Sequence, residues 1–216
     1  KKKCKGIEVV RNGKLEEIFA HREVILSAGS IGSPKILELS GIGNPKILSN
    51  LGINTLVESK NVGENLQDHL QLRVIYRLEN AKTLNQKANS LLGKIAIGLE
   101  YALKRTGPMS MAPSQLGVFA MSDKSYETPN LQFHVQPLSL DKFGEPLHSF
   151  PGLTASVCNL NPQSRGNVHI TSNDYKIAPS IDPNYLSEEK DKIVAAQSIK
   201  LARKIISQPA MKKYNP

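Results

Sequence analysis

Residues 23–43 constrain the fold more than any other part of this chain. The segment opens with an apolar run at 24–26, which is typical of a short strand buried on both faces. Small residues follow at 27–30, so another backbone or a ligand could approach closely there. Ser33 can cap a helix whose first position suits Pro34, and a pair of glycines closes that helix. We therefore predict a strand, a small-residue turn and a helix.

Turn residues divide the neighbouring sequence into short elements. Asn12-Gly13 between two alternating runs is the strongest two-residue hairpin signal, and it predicts a β-hairpin over 7–18. Asn44 and Pro45 predict a short helix at 46–50, which is followed by a turn and a strand within 51–57.

The remaining two thirds of the chain favour an antiparallel sheet with helices. Apolar residues at three- and four-residue intervals predict one helix over 85–105, and Ser187 can cap a last helix that runs to about residue 206. Strands are predicted at 70–79, 117–121, 130–136, 153–160 and 167–171. Mostly non-adjacent strands with a helix between them indicate an α+β arrangement.

Charge and composition exclude several classes of function. The net charge of +9 would suit nucleic acid, but the lysines are spread along the chain and no basic stripe carries aromatic residues, so we predict no nucleic-acid partner. The same charge would favour peripheral contact with an anionic membrane face. No apolar run reaches membrane-spanning length. Two cysteines, with no Cys/His cluster at ligand spacing, predict neither a disulfide framework nor a metal site.

Two motifs carry a family resemblance. The pattern G-S-x-x-S-P-x-I-L-x-x-S-G-I-G at 29–43 resembles the second signature of the glucose–methanol–choline (GMC) oxidoreductases. The sequence N-V-G-E-N-L-Q-D-H at 61–69 resembles the segment that leads from the flavin domain of that family into its substrate domain. Within the family, stretches between 98 and 162 are most similar to bacterial choline dehydrogenases.

The resemblance implies the fold class and the domains. It implies α/β plus α+β architecture, with the rear part of a Rossmann-like FAD-binding domain at 1–68 and an antiparallel-sheet substrate-binding domain at 69–216. The C-terminal module of the family would start near residue 160 and be truncated. The chain has no G-x-G-x-x-G turn, and the principal catalytic His of the family would lie beyond Pro216. We therefore expect an internal piece of a longer enzyme that is inactive when isolated.

The resemblance also implies a reaction and its residues. The enzyme would oxidise a choline-like alcohol to an aldehyde by hydride transfer to FAD. The small-residue turn passes close to FAD in this family, which implies cofactor contacts from Ser27, Ala28, Gly29 and Ser30. His134, on a predicted strand, would be the catalytic candidate that hydrogen-bonds the alcohol oxygen and holds developing negative charge. A core histidine satisfied by a neighbour is the alternative for that position.

Other residues near the predicted substrate pocket leave alternatives open. His69 could shape the pocket, or it could only tie the domain junction together through Asp68. Gln71 stands where choline oxidases of the family carry a Glu, so the cation would meet a dipole instead of a carboxylate. Cation recognition would then use aromatic faces, with Tyr76, Phe133 and Phe143 as candidates that also suit a buried core. The remaining histidines are predicted to be loop or surface residues: His21, His148 and His169.

Three functions remain open from the sequence. The first is the FAD-dependent oxidation of choline or a similar alcohol, the second is a GMC dehydrogenase or oxidase for another alcohol, and the third is a free-standing, non-catalytic binding fragment. The residues do not identify the electron acceptor. We expect a cytoplasmic protein that could associate with the cytoplasmic face of a membrane.

Overall fold

A computed structural model describes residues 3–112, 114–142 and 144–216, which form two compact units. The first unit contains the described residues up to Gln67 together with Arg165–Tyr185, and the second contains Asp68–Ser164 and Leu186–Pro216. The assignment of residues 1–68 to FAD binding and of 69–216 to substrate binding stays a prediction. In the structure, the segment Arg165–Tyr185 belongs with the first unit.

The helices and strands are short and follow one another closely. In chain order the strands are β1 (Gly6–Arg11), β2 (Lys14–Phe19), β3 (Ile42–Gly43), β4 (Val57–Glu58), β5 (Glu64–Leu66), β6 (Gln71–Arg77), β7 (Leu116–Ala120), β8 (Leu131–Gln136), β9 (Gly152–Asn159), β10 (Gly166–His169) and β11 (Ser180–Asp182). The α-helices are α1 (Gly29–Leu39), α2 (Pro45–Asn50), α3 (Leu84–Asn89), α4 (Leu91–Lys104) and α5 (Glu189–Ile206).

The predicted hairpin is confirmed. Strands β1 and β2 pair antiparallel from Gly6↔Phe19 to Arg11↔Lys14. Asn12 and Gly13 both have positive φ, at 51° and 77°, which is the backbone that a two-residue hairpin turn requires and that Asn and Gly tolerate best.

The strand predicted at 24–26 is wrong. Residues 23–28 form neither strand nor helix, and Ile25 is 81% exposed instead of buried. A β-strand exists only when its backbone hydrogen-bonds to a neighbour, and no strand in the described part of the chain pairs with this run. The run is apolar, but its own residues do not supply a partner strand.

The helix after this run begins earlier than predicted. It starts at Gly29, with Ala28 as the N-cap, so Ser33 does not cap it and Pro34 lies inside it. The Ser33 hydroxyl instead accepts the Ala28 N–H at 3.1 Å, which ties the N-cap residue to α1 across its first turn. Gly29, with φ at +77°, can adopt the conformation that opens this turn. The predicted glycine ending is confirmed, since Gly41 follows the helix with φ at +78°.

Two small sheets complete the first unit. Strands β3 and β4 form a parallel pair, and α2 lies between them in the sequence. The Asn44 side chain caps α2 by accepting the Lys46 N–H at 3.1 Å. The other sheet has the order β11-β10-β5, with antiparallel pairing throughout. This second sheet brings the middle of the 61–69 motif beside Arg165–Tyr185.

The second unit contains the predicted antiparallel sheet. Its strand order is β6-β9-β8-β7, and every neighbouring pair is antiparallel. One face of this sheet packs against α5, where the core consists of Leu131, Phe133, Val157, Val194 and Ala202. This confirms the α+β class predicted for the second part of the chain.

Two helix boundaries in the second unit differ from the prediction. The helix predicted over 85–105 is divided into α3 and α4, because Ser90 adopts an extended backbone and its hydroxyl accepts the Gly93 N–H at 3.0 Å. A serine that caps a new helix therefore interrupts a continuous apolar period. The last helix has Glu188 as its N-cap, one residue after the predicted Ser187.

Candidate functional site

A cavity of about 340 Å³ in the first unit is the place where the two motifs meet. One wall is the N-terminal half of α1, and the other is the loop and strand at 61–67 with Val168 of β10. The α1 residues that line the cavity are Ser30, Ser33, Pro34 and Leu37. Its volume lies within the range of small-molecule and cofactor sites.

The start of α1 can receive an anionic or dipolar ligand. The backbone N–H groups in the first turn of a helix have no carbonyl partner within the helix, and the helix dipole is positive at that end. Gly29 is the first residue of this turn, and an added methyl group there would meet nothing within 4 Å. Of the predicted cofactor residues, Ser30 lines the cavity, while Ser27 and Ala28 lie in the exposed segment that leads into α1.

The opposite wall is shaped by backbone that only certain residues can adopt. Gly63 has φ at +83°, and a Cβ built on it would lie 2.2 Å from the Val168 carbonyl oxygen and 2.8 Å from the His169 ring. The Gly63 carbonyl accepts the Val168 N–H at 2.7 Å. Asn65 also has a positive φ, at 64°. The 61–67 segment therefore packs against β10 at a distance that excludes a side chain at position 63.

One charged cluster in this unit was not predicted. His169 was predicted to be a loop or surface residue, but it lies in β10 with its side chain only 16% exposed, so that prediction is wrong. Its ring lies between the carboxylates of Glu38 and Glu64. No local pattern could have revealed the pairing, because Glu38 and His169 are 131 positions apart.

The other two histidines of that group lie outside strands and helices. His21 is an exposed residue in a bend, as predicted. His148 lies in a loop, as predicted, with its ring stacked on Phe150 and its Nδ1 3.0 Å from the Ser139 hydroxyl.

In the second unit, the predicted substrate residues share one face of the large sheet. Gln71 lies opposite Cys158 across the β6–β9 pair, and His134 lies opposite Ser156 across the β8–β9 pair. Since residues two apart on a strand point to the same face, Gln71 and His134 lie on the same side. This face is opposite the one that packs on α5.

His134 is half-buried on this polar face. Its other strand neighbour is Gly117 of β7, which leaves space beside the imidazole. No hydrogen bond joins the His134 ring to another residue in the part of the chain that the structure describes. The arrangement suits a group that donates a hydrogen bond to an oxygen bound on the sheet.

His69 precedes this sheet and is anchored by the backbone. Its Nε2 donates a hydrogen bond to the Leu160 carbonyl oxygen at 3.0 Å, across 91 residues of sequence. The side chain therefore joins the beginning of β6 to the residue that follows β9. A role in the pocket stays a prediction.

The aromatic candidates for cation recognition are placed differently from one another. Phe133 alternates with His134 and lies in the core against α5. Tyr76 shares the core face with Leu72 and Val74, and burial raises the pKa of its hydroxyl, although nearby Arg203 acts in the opposite direction. Phe143 lies outside the described residues.

Two classes of site are not found in the described ranges. No helix there is long and apolar enough to cross a membrane. Those residues also contain no group of three or more His, Cys, Asp or Glu side chains that could hold a metal ion.

Comparisons with protein families identify both ends of the chain. The N-terminal domain model of the GMC oxidoreductases matches residues 1–71, and the C-terminal domain model of the same family matches residues 162–216.

Curated relatives match almost the whole chain. An oxygen-dependent choline dehydrogenase of Photobacterium profundum is 38% identical over 213 residues, which cover 99% of this chain and 37% of that protein. A protein of the same name from Staphylococcus aureus is 36% identical over 214 residues, again 99% of this chain and 37% of the relative. The chain therefore spans little more than a third of the length of these relatives.

Solved structures show the same fold. A crystal structure of formate oxidase superimposes with a TM-score of 0.86 at 26% identity, covering 98% of this chain and 42% of that one. A related structure, which concerns FAD modification in the formate oxidase of Aspergillus oryzae RIB40, gives 0.85 with the same identity and coverage. Pyridoxine 4-oxidase from Mesorbium loti gives 0.78 at 22% identity, over 98% of this chain and 38% of that one.

Proposed function

Because the chain belongs to the GMC oxidoreductase family, we propose that it is part of an FAD-dependent oxidoreductase that converts choline or a choline-like alcohol into an aldehyde. The observation that carries this proposal is the meeting of the 29–43 and 61–69 motifs at one cavity. The relatives named oxygen-dependent choline dehydrogenase support choline as the substrate.

The residues around the cavity fit part of FAD. The open space beside Gly29 and the free amides at the start of α1 suit a close approach by phosphate or a polar ring edge. Ser30 and the backbone of residues 27–29 would hold the cofactor. When bound, FAD supplies the acceptor for the hydride that leaves the alcohol carbon.

The polar face of the large sheet would bind the alcohol. His134 would donate a hydrogen bond to the hydroxyl oxygen and stabilise the negative charge that develops as the hydroxyl proton leaves. Gln71 would offer its amide oxygen to the cationic end of choline, as a dipole in place of a carboxylate.

A second candidate is the oxidation of a different alcohol by the same chemistry. Gln71 favours it, because a neutral amide attracts a trimethylammonium group less strongly than a carboxylate does. Substrate profiling decides between the two candidates, since only a choline enzyme would prefer choline to an uncharged alcohol of the same size.

The proposal also covers the binding partners and the cellular location of the protein. A small-molecule alcohol is the proposed partner of the sheet face, and the electron acceptor is left to experiment. The net charge of +9 supports peripheral contact with an anionic membrane on the cytoplasmic side.

Flavin retention tests the cofactor part of this proposal. The intact protein is mixed with excess FAD and desalted, and the yellow absorbance is then measured in the wild type, Gly29→Ala and Gly13→Ala. Both glycines have φ at +77° with nothing within 4 Å of an added Cβ, so the backbone strain from alanine is matched. Only Gly29 is next in sequence to a residue that lines the cavity, which is Ser30. We therefore expect roughly tenfold weaker FAD binding for Gly29→Ala alone.

Anaerobic addition of choline then tests the reaction. We expect choline to bleach the flavin absorbance of the wild type and His134→Ala to slow that bleaching about a hundredfold, as is usual for the loss of one charge-stabilising donor. A protein that retains no flavin would instead support the non-catalytic binding fragment. Equal flavin loss in both glycine variants would place the cofactor elsewhere.

A further inference from the structure

We propose that His169 is a positioning residue which, as an imidazolium between Glu38 and Glu64, holds together the two walls of the cavity in the first unit. The bridge itself is independent of the proposed function. Its effect on FAD rests on that function.

The geometry of the bridge is complete on both sides of the ring. The His169 Nδ1 is 2.7 Å from a Glu38 carboxylate oxygen, and its Nε2 is 3.0 Å from a Glu64 carboxylate oxygen. The second oxygen of Glu38 accepts the Ile170 N–H at 2.8 Å. Glu38 is fully buried, and each of its two carboxylate oxygens has a hydrogen-bond partner.

The position of the ring between two acidic side chains suits its charged form. With Glu38 and Glu64 both ionised, each carboxylate can only accept, so both nitrogens of His169 donate, and only the imidazolium carries hydrogen on both. A buried carboxylate is costly unless a cation and hydrogen bonds compensate for its lost hydration. The imidazolium supplies that compensation to Glu38 and simultaneously pairs with Glu64.

The bridge connects the walls that form the cavity. Glu38 belongs to α1, which contributes one wall, whereas Glu64 is itself a residue of the other wall. His169 follows Val168, which also lines the cavity. Gly63 has no side chain, so the His169 ring can lie close to its backbone. A Cβ at position 63 would lie only 2.8 Å from that ring.

The charge of the bridge also affects what the cavity can bind. Two carboxylates beside one cavity would repel an anionic cofactor, and the repulsion is stronger where water is excluded. The imidazolium changes the formal charge of the three side chains from −2 to −1. His169 therefore orients Glu64 and reduces its repulsion of a phosphate-bearing ligand.

The first experiment removes the charge at His169. In the intact protein, His169→Gln keeps a side chain of similar size that cannot pair with both carboxylates, and His21→Gln is the matched control at an exposed histidine. We expect amide hydrogen exchange at positions 61–67 and at Ile170 to quicken at least tenfold in His169→Gln and to stay unchanged in the control. We also expect FAD to dissociate at least tenfold more readily from His169→Gln.

The second experiment measures the protonation state of the His169 ring directly. Nitrogen NMR of ¹⁵N-histidine-labelled protein at neutral pH should show both His169 nitrogens carrying hydrogen in the wild type. In Glu38→Gln, the amide oxygen can accept the Ile170 N–H while the amide NH₂ donates to Nδ1, so the ring should become neutral with hydrogen on Nε2. A residue that merely fills space would show the same form in both proteins.

Two results would overturn the proposal. One is a neutral His169 ring in the wild type, and the other is exchange at 61–67 that is the same in His169→Gln and His21→Gln. If the wild type binds no FAD, the proposed function fails, but exchange and NMR still decide whether the bridge exists. If the wild type binds FAD and His169→Gln releases FAD no faster, the positioning role of His169 is rejected. The proposed function then stands.

Discussion

Two buried contacts, one in each unit of this protein, depend on different chemistry. In the second unit, one face of a four-stranded sheet and α5 enclose an apolar core that includes Phe133 and Val157. In the first unit, the fully buried Glu38 has its carboxylate bound by His169 and by the Ile170 N–H. Apolar packing tolerates change in proportion to the volume lost, whereas a buried charge depends on every partner being present. The comparison shows that α1 is joined to β10 through a buried carboxylate and its partners, whereas the large sheet is joined to α5 through apolar packing.

The largest expected effect tests the apolar side of this comparison. Phe133 is 2% exposed in β8, and Phe133→Ala should lower the free energy of unfolding by about 3–5 kcal/mol through lost burial and a residual cavity. Chemical denaturation of the intact protein would measure the loss. Phe119→Ala, at a phenylalanine of the same sheet that is 61% exposed, is the control and should have a much smaller effect. Equal losses would mean that the sheet does not derive its stability from the face against α5.

The second largest expected effect tests the buried carboxylate of the first unit. Glu38→Ala leaves the Ile170 N–H and the His169 ring without their buried acceptor, so we expect about 3 kcal/mol of destabilisation, near the lower end for breaking a buried pair. Hydrogen exchange at Ile170 would follow opening of the first unit specifically. Glu23→Ala, at an exposed glutamate, should change nothing measurable. A result like that control would show that the first unit does not depend on its buried carboxylate.

The smallest expected effect is on the pH dependence of the free energy of unfolding, through a buried thiol in the second unit. Burial raises the pKa of the Cys158 thiol, and hydrogen bonding with the Gln132 backbone offsets part of that rise, so the folded state disfavours the thiolate. The corresponding stability is fully present below the ordinary thiol pKa of about 8.5 and is lost as pH rises through the higher folded value. We therefore expect wild-type stability to fall in alkaline buffer more steeply than that of Cys158→Ala.

Thiol alkylation gives an independent check of the burial that causes this pKa shift. At mildly alkaline pH, exposed Cys4 should react readily, whereas buried Cys158 should react only after unfolding. Comparable rates at the two cysteines in the folded protein would contradict a protected Cys158.

Local sequence was sufficient wherever a few neighbouring residues determine the backbone. Asn12-Gly13 predicted the hairpin because both residues tolerate positive φ, and Gly41 predicted the end of α1 for the same reason. The alternating strands of the second unit were predicted because one face of each is apolar and packs on α5. The two motifs identified the family, since they combine specific residues at defined spacing.

Tertiary structure alone decided which of these elements pair and which charges meet. An apolar run such as 24–26 becomes a strand only if a neighbour supplies hydrogen bonds, and its own residues do not encode that neighbour. His169 resembled a surface residue because its partners Glu38 and Glu64 are 131 and 105 positions away. Local conformation depends on adjacent residues and can be read from sequence, but a buried ion pair depends on where the folded chain places distant ones.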